Sequence, residues 1–124
     1  MKHEQLTGKI LSAAFAVSKE LGHGFPENIY EKAMLMALRQ AGLAAESQYA
    51  IKVKFRGELI GNYAADLVVE NKVLIELKAV KALAPEHQAQ VVNYLKASGL
   101  EVGLLINFGV PKIEYKRLSW PLQP

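Results

Sequence analysis

The stretch Val73-Leu74-Ile75-Glu76-Leu77-Lys78-Ala79 constrains this chain more than any other. It is an apolar, β-branched run of the kind that forms a buried strand. Two charges interrupt it, two residues apart. Side chains alternate along a strand, so Glu76 and Lys78 leave one face while Ile75 and Leu77 leave the other. A charge buried without a partner or a metal costs several kcal/mol, so the pair demands a reason. A second carboxylate lies upstream in Ala64-Ala65-Asp66-Leu67-Val68-Val69, and Glu70-Asn71-Lys72 between the two runs reads as a hairpin turn. The hairpin brings Asp66 towards Glu76.

At 124 residues the chain is long enough for one core and too short for two full domains, so residues 1–124 are read as a single domain. There is no cysteine, which excludes disulfides and thiolate metal sites. The first residues open directly into a charged helical pattern without a signal-peptide apolar region. No apolar run approaches the ~20 residues of a membrane span. A cytoplasmic location and no membrane partner are expected. Net charge is +3, and its distribution is uneven. Residues 1–46 carry five basic and five acidic groups, whereas residues 47–124 carry ten and seven. The excess lies in Lys52-Val53-Lys54-Phe55-Arg56 and in Lys112, Lys116 and Arg117. Basic strands suit a polyanion partner. They also serve as a solvated face in which lysines protect a sheet edge.

Helical spacing of Leu6, Ile10, Ala13, Ala14, Val17 and Leu21 predicts an amphipathic helix over about residues 4–21, ended by Gly22. Pro26 and Glu27 open a second helix through Tyr30, Ala33, Met34, Ala37 and Leu38, which stops at Gly42. Gln48–Phe55 alternates as a strand with Tyr49, Ile51, Val53 and Phe55 on one face. Arg56-Gly57-Glu58 is a turn. Leu59–Val69 is a longer strand in which Gly61 marks a bulge. With Val73–Ala79 these strands make a three-strand antiparallel meander. Pro85 and Glu86 start a third helix, read as carrying Ala89, Val92 and Leu95 to the core and ending before Gly99. Glu101–Ile106 is a fourth strand, parallel by virtue of the helix before it. Ile113–Leu118 is a short edge strand, and Ser119–Pro124 a tail. The fold class is α/β (α+β), with helices flanking a mixed sheet of four to five strands.

Glu76, Lys78 and Asp66 form the strongest chemical constellation. One lysine cannot neutralise two carboxylates, so a dry site would keep excess negative charge. A divalent cation removes that excess. Asp66, Glu76, the Leu77 carbonyl and water are hard oxygen ligands that suit Mg²⁺ or Mn²⁺. Such an ion would polarise a phosphoryl oxygen and lower the pKa of bound water. Lys78 would orient that water and stabilise charge on the attacked phosphate. On the third helix Gln90 and Tyr94 share a face, with His87 one turn earlier. On the second, Glu27 and Tyr30 are three apart. These helical pairs also fit a core rim and a helix-dipole acid.

Asp66 followed by Glu76-Leu77-Lys78 resembles the motif of the PD-(D/E)xK nuclease superfamily on its usual hairpin. The order of elements resembles that superfamily's restriction-endonuclease-like core. Gln90-Val91-Val92-Asn93-Tyr94 is similar to the QxxxY motif of its exonuclease-like branch. Gly24-Phe25-Pro26-Glu27-Asn28-Ile29-Tyr30 resembles the signature of the GxxExxY protein family within it. The resemblance covers about residues 4–118. It implies that Asp66 and Glu76 are metal ligands, that Lys78 is the catalytic lysine, and that Glu27 reaches the same site as a further acid. It implies that Gln90 and Tyr94 line the site and position the scissile phosphate or metal waters. Ala65 stands where the motif has proline, a residue that shapes backbone and is not a ligand.

The expected function is therefore metal-dependent phosphodiester hydrolysis on nucleic acid, DNA foremost. The alternatives are a nuclease-fold module that binds nucleic acid or a partner protein without cleaving it, and a structural subunit. The chain holds no separate DNA-reading motif. A homodimer or a partner protein is expected to help so small a domain grip a duplex.

Overall fold

The computed structural model describes residues 1–121. Eight elements follow one another: α1 (Glu4–Leu21), α2 (Glu27–Gln40), β1 (Ala45–Phe55), β2 (Glu58–Val69), β3 (Val73–Lys78), α3 (Pro85–Ser98), β4 (Val102–Asn107) and β5 (Glu114–Ser119). The strands form one sheet in the order β1-β2-β3-β4-β5. Neighbours are antiparallel except β3 and β4, which run parallel from Val73↔Val102 to Lys78↔Asn107. The meander, the crossover helix and the parallel strand are those expected from the sequence. Ser119, expected in the tail, belongs to the edge strand β5, and the last three residues of that tail lie outside the described residues.

Both faces of the sheet are covered, by α1 and α2 on one side and α3 on the other. Ile10, Ala14, Tyr30, Met34 and Leu38 pack with Ile75, Leu77, Leu104 and Ile106. On the opposite face Val91 and Leu95 pack with Ile51, Ala65, Leu74 and Leu105. β3 and β4 are thus sealed on both sides, which explains their nearly continuous apolar sequence. The inward face of α3 differs from expectation. Val91 is fully buried, Val92 is half-buried and Ala89 is exposed. Two adjacent valines fit a helical stripe equally well in sequence, and the contact with Gly103, where an added Cβ would stand 2.6 Å from Val91 Cγ1, selects Val91.

Tyr30 ties the link between α1 and α2 together. Its hydroxyl donates to the Gly22 carbonyl at 2.7 Å and accepts from the Phe25 N–H at 3.2 Å. Its ring stacks on Phe108 at 4.7 Å. Beyond β3, the fully buried Asn107 fastens two loops at once. Its Oδ1 accepts from the Val80 and Gly109 N–H groups, and its Nδ2 donates to the Val80 carbonyl and Glu114 Oε1. Gly109 lies so close that a Cβ there would stand 2.3 Å from the Val80 backbone.

The hairpins turn through residues in the left-handed region. Arg56 and Gly57 have φ of 50° and 82°, and Glu70 and Asn71 have 56° and 54°. Paired positive φ values give the turn a twist that matches the flanking strands. Glu70, an unusual residue there, is held by its side chain, which accepts from the Ala44 N–H at 2.5 Å. The bulge expected at Gly61 falls beside it. Val53 pairs with Gly61 and Lys54 with Leu59, so Ile60 is the extra residue.

Candidate active site

β2 and β3 pair only at Leu67↔Ile75, Val68↔Leu74 and Val69↔Val73. Beyond Leu67 the strands part, and two carboxylates fill the fork. The Asp66 N–H donates to Glu76 Oε1 at 3.1 Å, and the Leu77 N–H donates to Asp66 Oδ2 at 2.8 Å. Side chains replace the main-chain rungs that a continued ladder would supply. The Leu77 carbonyl leaves the same strand edge as its N–H, and the next carbonyl, that of Lys78, points the other way to accept from Phe108 N–H at 2.8 Å. The fork therefore presents two carboxylates and the Leu77 carbonyl.

A face switch in the sheet produces the fork. Leu67 and Val69 belong to the core under α1 and α2, whereas Ala65 belongs to the core under α3. Regular alternation would keep positions 65, 67 and 69 together. On β1 the same exchange separates Ala45 from Tyr49 and Ile51. Gln48, opposite Asp66, absorbs it with φ of 52°. Its Nε2 donates to Glu31 Oε1 at 2.8 Å. Asp66 sits at the crossover point and so is aimed into the fork instead of onto either face.

Glu76 is 3% exposed. Burial, then the Asp66 charge, pushes its carboxyl up to about 9 from an ordinary 4.5, against a weaker opposing pull from Lys78. No ion pair joins Lys78 to either carboxylate; the described salt bridges are Met1 with Glu4 and Lys2 with Glu101. Glu76 and Lys78 therefore do not form a structural ion pair, and the raised Glu76 carboxyl keeps its proton at neutral pH.

Glu31 lies against Asp66 from α2. Burial and the Asp66 charge raise its carboxyl above the ordinary range, with Glu27 adding to the effect. Glu27 itself stays exposed in the first turn of α2. Sequence reading named Glu27 and missed Glu31, although the two acids are four apart and so share a helix face. On the other side of the sheet, Gln90 Nε2 donates to Tyr94 Oη at 3.3 Å. The Tyr94 hydroxyl titrates above its usual value because it is partly buried and feels the Glu76 and Asp66 charges. Its ring packs against Tyr63 at 5.8 Å. Asp66 and Glu76 thus share an electrostatic neighbourhood with Tyr94, Gln90 is hydrogen-bonded to Tyr94, Lys78 acts on Glu76 through its charge, and Glu31 approaches Asp66 with Glu27 one turn away.

The donors at the fork suit a small hard cation. Among the described residues no group of three or more His, Cys, Asp or Glu side chains is placed to hold a metal ion. Mg²⁺ commonly uses one or two carboxylates and keeps several waters, so Asp66, Glu76 and the Leu77 carbonyl fit it without a further acid.

A family model described as the PD-(D/E)XK nuclease superfamily matches residues 4–118. Two solved structures share the fold. One is the crystal structure of SSO0001, with a TM-score of 0.61 and 21% identity over 98% of this chain. The chain spans 62% of the length of that protein. The other is an alkaline exonuclease from Laribacter hongkongensis, with a TM-score of 0.54 and 13% identity over 96% of this chain and 71% of that one. Curated proteins returned no match.

Proposed function

The chain belongs to the PD-(D/E)XK nuclease superfamily, and we propose that it is a divalent-metal-dependent nuclease that hydrolyses phosphodiester bonds in DNA. The observation that carries this reading is the Asp66–Glu76 pair at the fork, with Glu76 buried and Asp66 half-buried, hydrogen-bonded to the main chain and without an ion-pair partner. Mg²⁺ or Mn²⁺ bound there would supply Lewis-acid activation of a phosphoryl oxygen and of water. Asp66, Glu76 and the Leu77 carbonyl would hold it. Lys78, on the Glu76 face of β3, would orient the attacking water and offset charge on the phosphate. The Gln90–Tyr94 pair would position the scissile phosphate from α3. Gly24, Glu27 and Tyr30 support assignment to the GxxExxY group within the superfamily, in one domain spanning residues 1–124.

No helix among the described residues is long and apolar enough to cross a membrane, in keeping with the cytoplasmic location proposed for a nuclease of this kind. A homodimer or a partner protein would extend its grip on a duplex. One observation favours a second reading, a nuclease-fold module that binds without cleaving: among the described residues no third acid completes a metal cage. The deciding experiment is incubation of the pure protein with single-stranded, double-stranded and branched DNA in Mg²⁺, in Mn²⁺ and in EDTA. Cleavage in metal and none in EDTA is expected. Intact DNA under every condition, with binding retained, would leave the module.

A further inference from the structure

A groove of about 1170 Å³ runs between the outer half of the β1–β2 hairpin and α3. It exceeds the ~300–1,000 Å³ of small-molecule clefts. Tyr49, Lys52, Lys54 and Tyr63 line one wall, and Tyr94 and Lys96 the other. Three lysines and one carboxylate, Glu86, are among its lining residues. Lys96 is fixed at the rim, with its ammonium 4.4 Å from the centre of the Trp120 ring. Gln90 and Tyr94 line the groove too, and the Tyr94 hydroxyl feels the Asp66 and Glu76 charges.

The geometry points to a single strand of nucleic acid as the occupant, laid along this groove with unpaired bases against the tyrosines and phosphates against the lysines. This inference rests on the nuclease reading and specifies the form of its substrate. The charges select a polyanion. The aromatic walls select among polyanions, since stacking on tyrosine requires a free base face, which a duplex keeps inside its own stack. Tyr63 is 55% exposed and yet already meets the Tyr94 ring.

The test uses binding in EDTA, so that it does not depend on cleavage. A fluorescent oligothymidylate of about 16 nucleotides and a blunt duplex of equal length are titrated with the full chain, and anisotropy is read at several salt concentrations. The single strand is expected to bind at least about tenfold more tightly than the duplex. Tyr63→Ala should weaken it about tenfold or more. The double change Lys52→Ala with Lys54→Ala should flatten the salt slope by about 1.4, the share of two phosphate contacts on a single strand. The three side chains that these changes remove, Tyr63, Lys52 and Lys54, are exposed, and circular dichroism checks the fold of each variant. Equal or tighter duplex binding, or variants that bind the single strand like wild type, overturns the assignment. If the variants behave as wild type while the protein still cleaves in Mn²⁺, the groove assignment falls and the nuclease reading stands. If the groove binds as expected and no metal supports cleavage, the reverse holds.

Discussion

Asp66 Oδ2 accepts the Leu77 N–H at 2.8 Å while the Asp66 N–H donates to Glu76 Oε1 at 3.1 Å. Each carboxylate thus occupies the place of a main-chain carbonyl in the ladder. Backbone donors on opposite strands hold the two carboxyl groups together, and without a cation their crowding keeps a proton on Glu76, whose carboxyl is pushed up to about 9.

Asp66→Asn should therefore relieve that crowding and lose metal together. Asparagine keeps an oxygen for the Leu77 N–H. The melting temperature in EDTA should stay the same or rise. Wild type should gain roughly 2.7 kcal/mol at about a hundredfold excess of Mn²⁺ over its dissociation constant, a shift of several degrees for a domain of this size. The variant should gain nothing. Thermal melts of both proteins with Mn²⁺ and with EDTA read this directly, and a wild type indifferent to millimolar Mn²⁺ contradicts the metal site.

Glu76 makes the metal-free protein sensitive to pH in a defined direction. Its folded-state value of about 9 lies above the ordinary 4.5, so between these values the folded state holds a proton that the unfolded state has released. The Glu76 contribution to stability in EDTA is then full below about 4.5 and declines as pH rises towards about 9. Glu76→Gln should flatten that decline. Metal competes with the same proton, so the Mn²⁺ gain in wild type should grow with pH. Melts across that range in EDTA, with wild type no more pH-dependent than Glu76→Gln, would count against the buried acid.

Lys78→Ala should abolish cleavage and leave the fold and the Mn²⁺-dependent rise in melting temperature largely intact. No salt bridge is lost with it. Cleavage at the wild-type rate in Mg²⁺ would remove Lys78 from the chemistry.

Gln90→Ala should slow turnover by about an order of magnitude or more, as when a positioning contact is lost, without altering the Mn²⁺ response. Unchanged kinetics in an active preparation would reduce Gln90 and Tyr94 to a core rim. Loss of folding in Tyr94→Phe would argue the same.

Tyr30→Phe should act on stability and not on chemistry. It removes the donor to the Gly22 carbonyl and the acceptor for Phe25, a loss of about 1–3 kcal/mol for groups left without partners. A drop of several degrees in melting temperature is expected, with the cleavage rate per folded molecule preserved. A slowed rate at full stability would place Tyr30 in the reaction instead.

Much of the candidate site was legible in sequence because charges on an apolar strand are costly and therefore rare. Glu76 and Lys78 declared their common face by their spacing, and the turn at Glu70 and Asn71 brought Asp66 across. The helices were legible by period. The face switch at Gln48 was not. A glutamine gives no sign of a left-handed backbone, and Ala65, Leu67 and Val69 look like one regular strand face. Without the switch there is no fork, and the approach of Glu31 to Asp66 goes unseen. The choice of Val91 over Val92 likewise depended on Gly103, a residue of another element.

The parallel pairing of β3 with β4 has a consequence for how the molecule assembles. Asp66 and Glu76 are joined by a hairpin closed through a short turn, so little loop entropy opposes their meeting. Val73 and Val102 meet only after the whole of α3 has been laid across the sheet. Non-local pairings of this kind slow folding. The two halves of the site thus belong to different moments of the chain's history: the acidic fork is a local motif, and the helix that brings Gln90 and Tyr94 closes over it with the crossover.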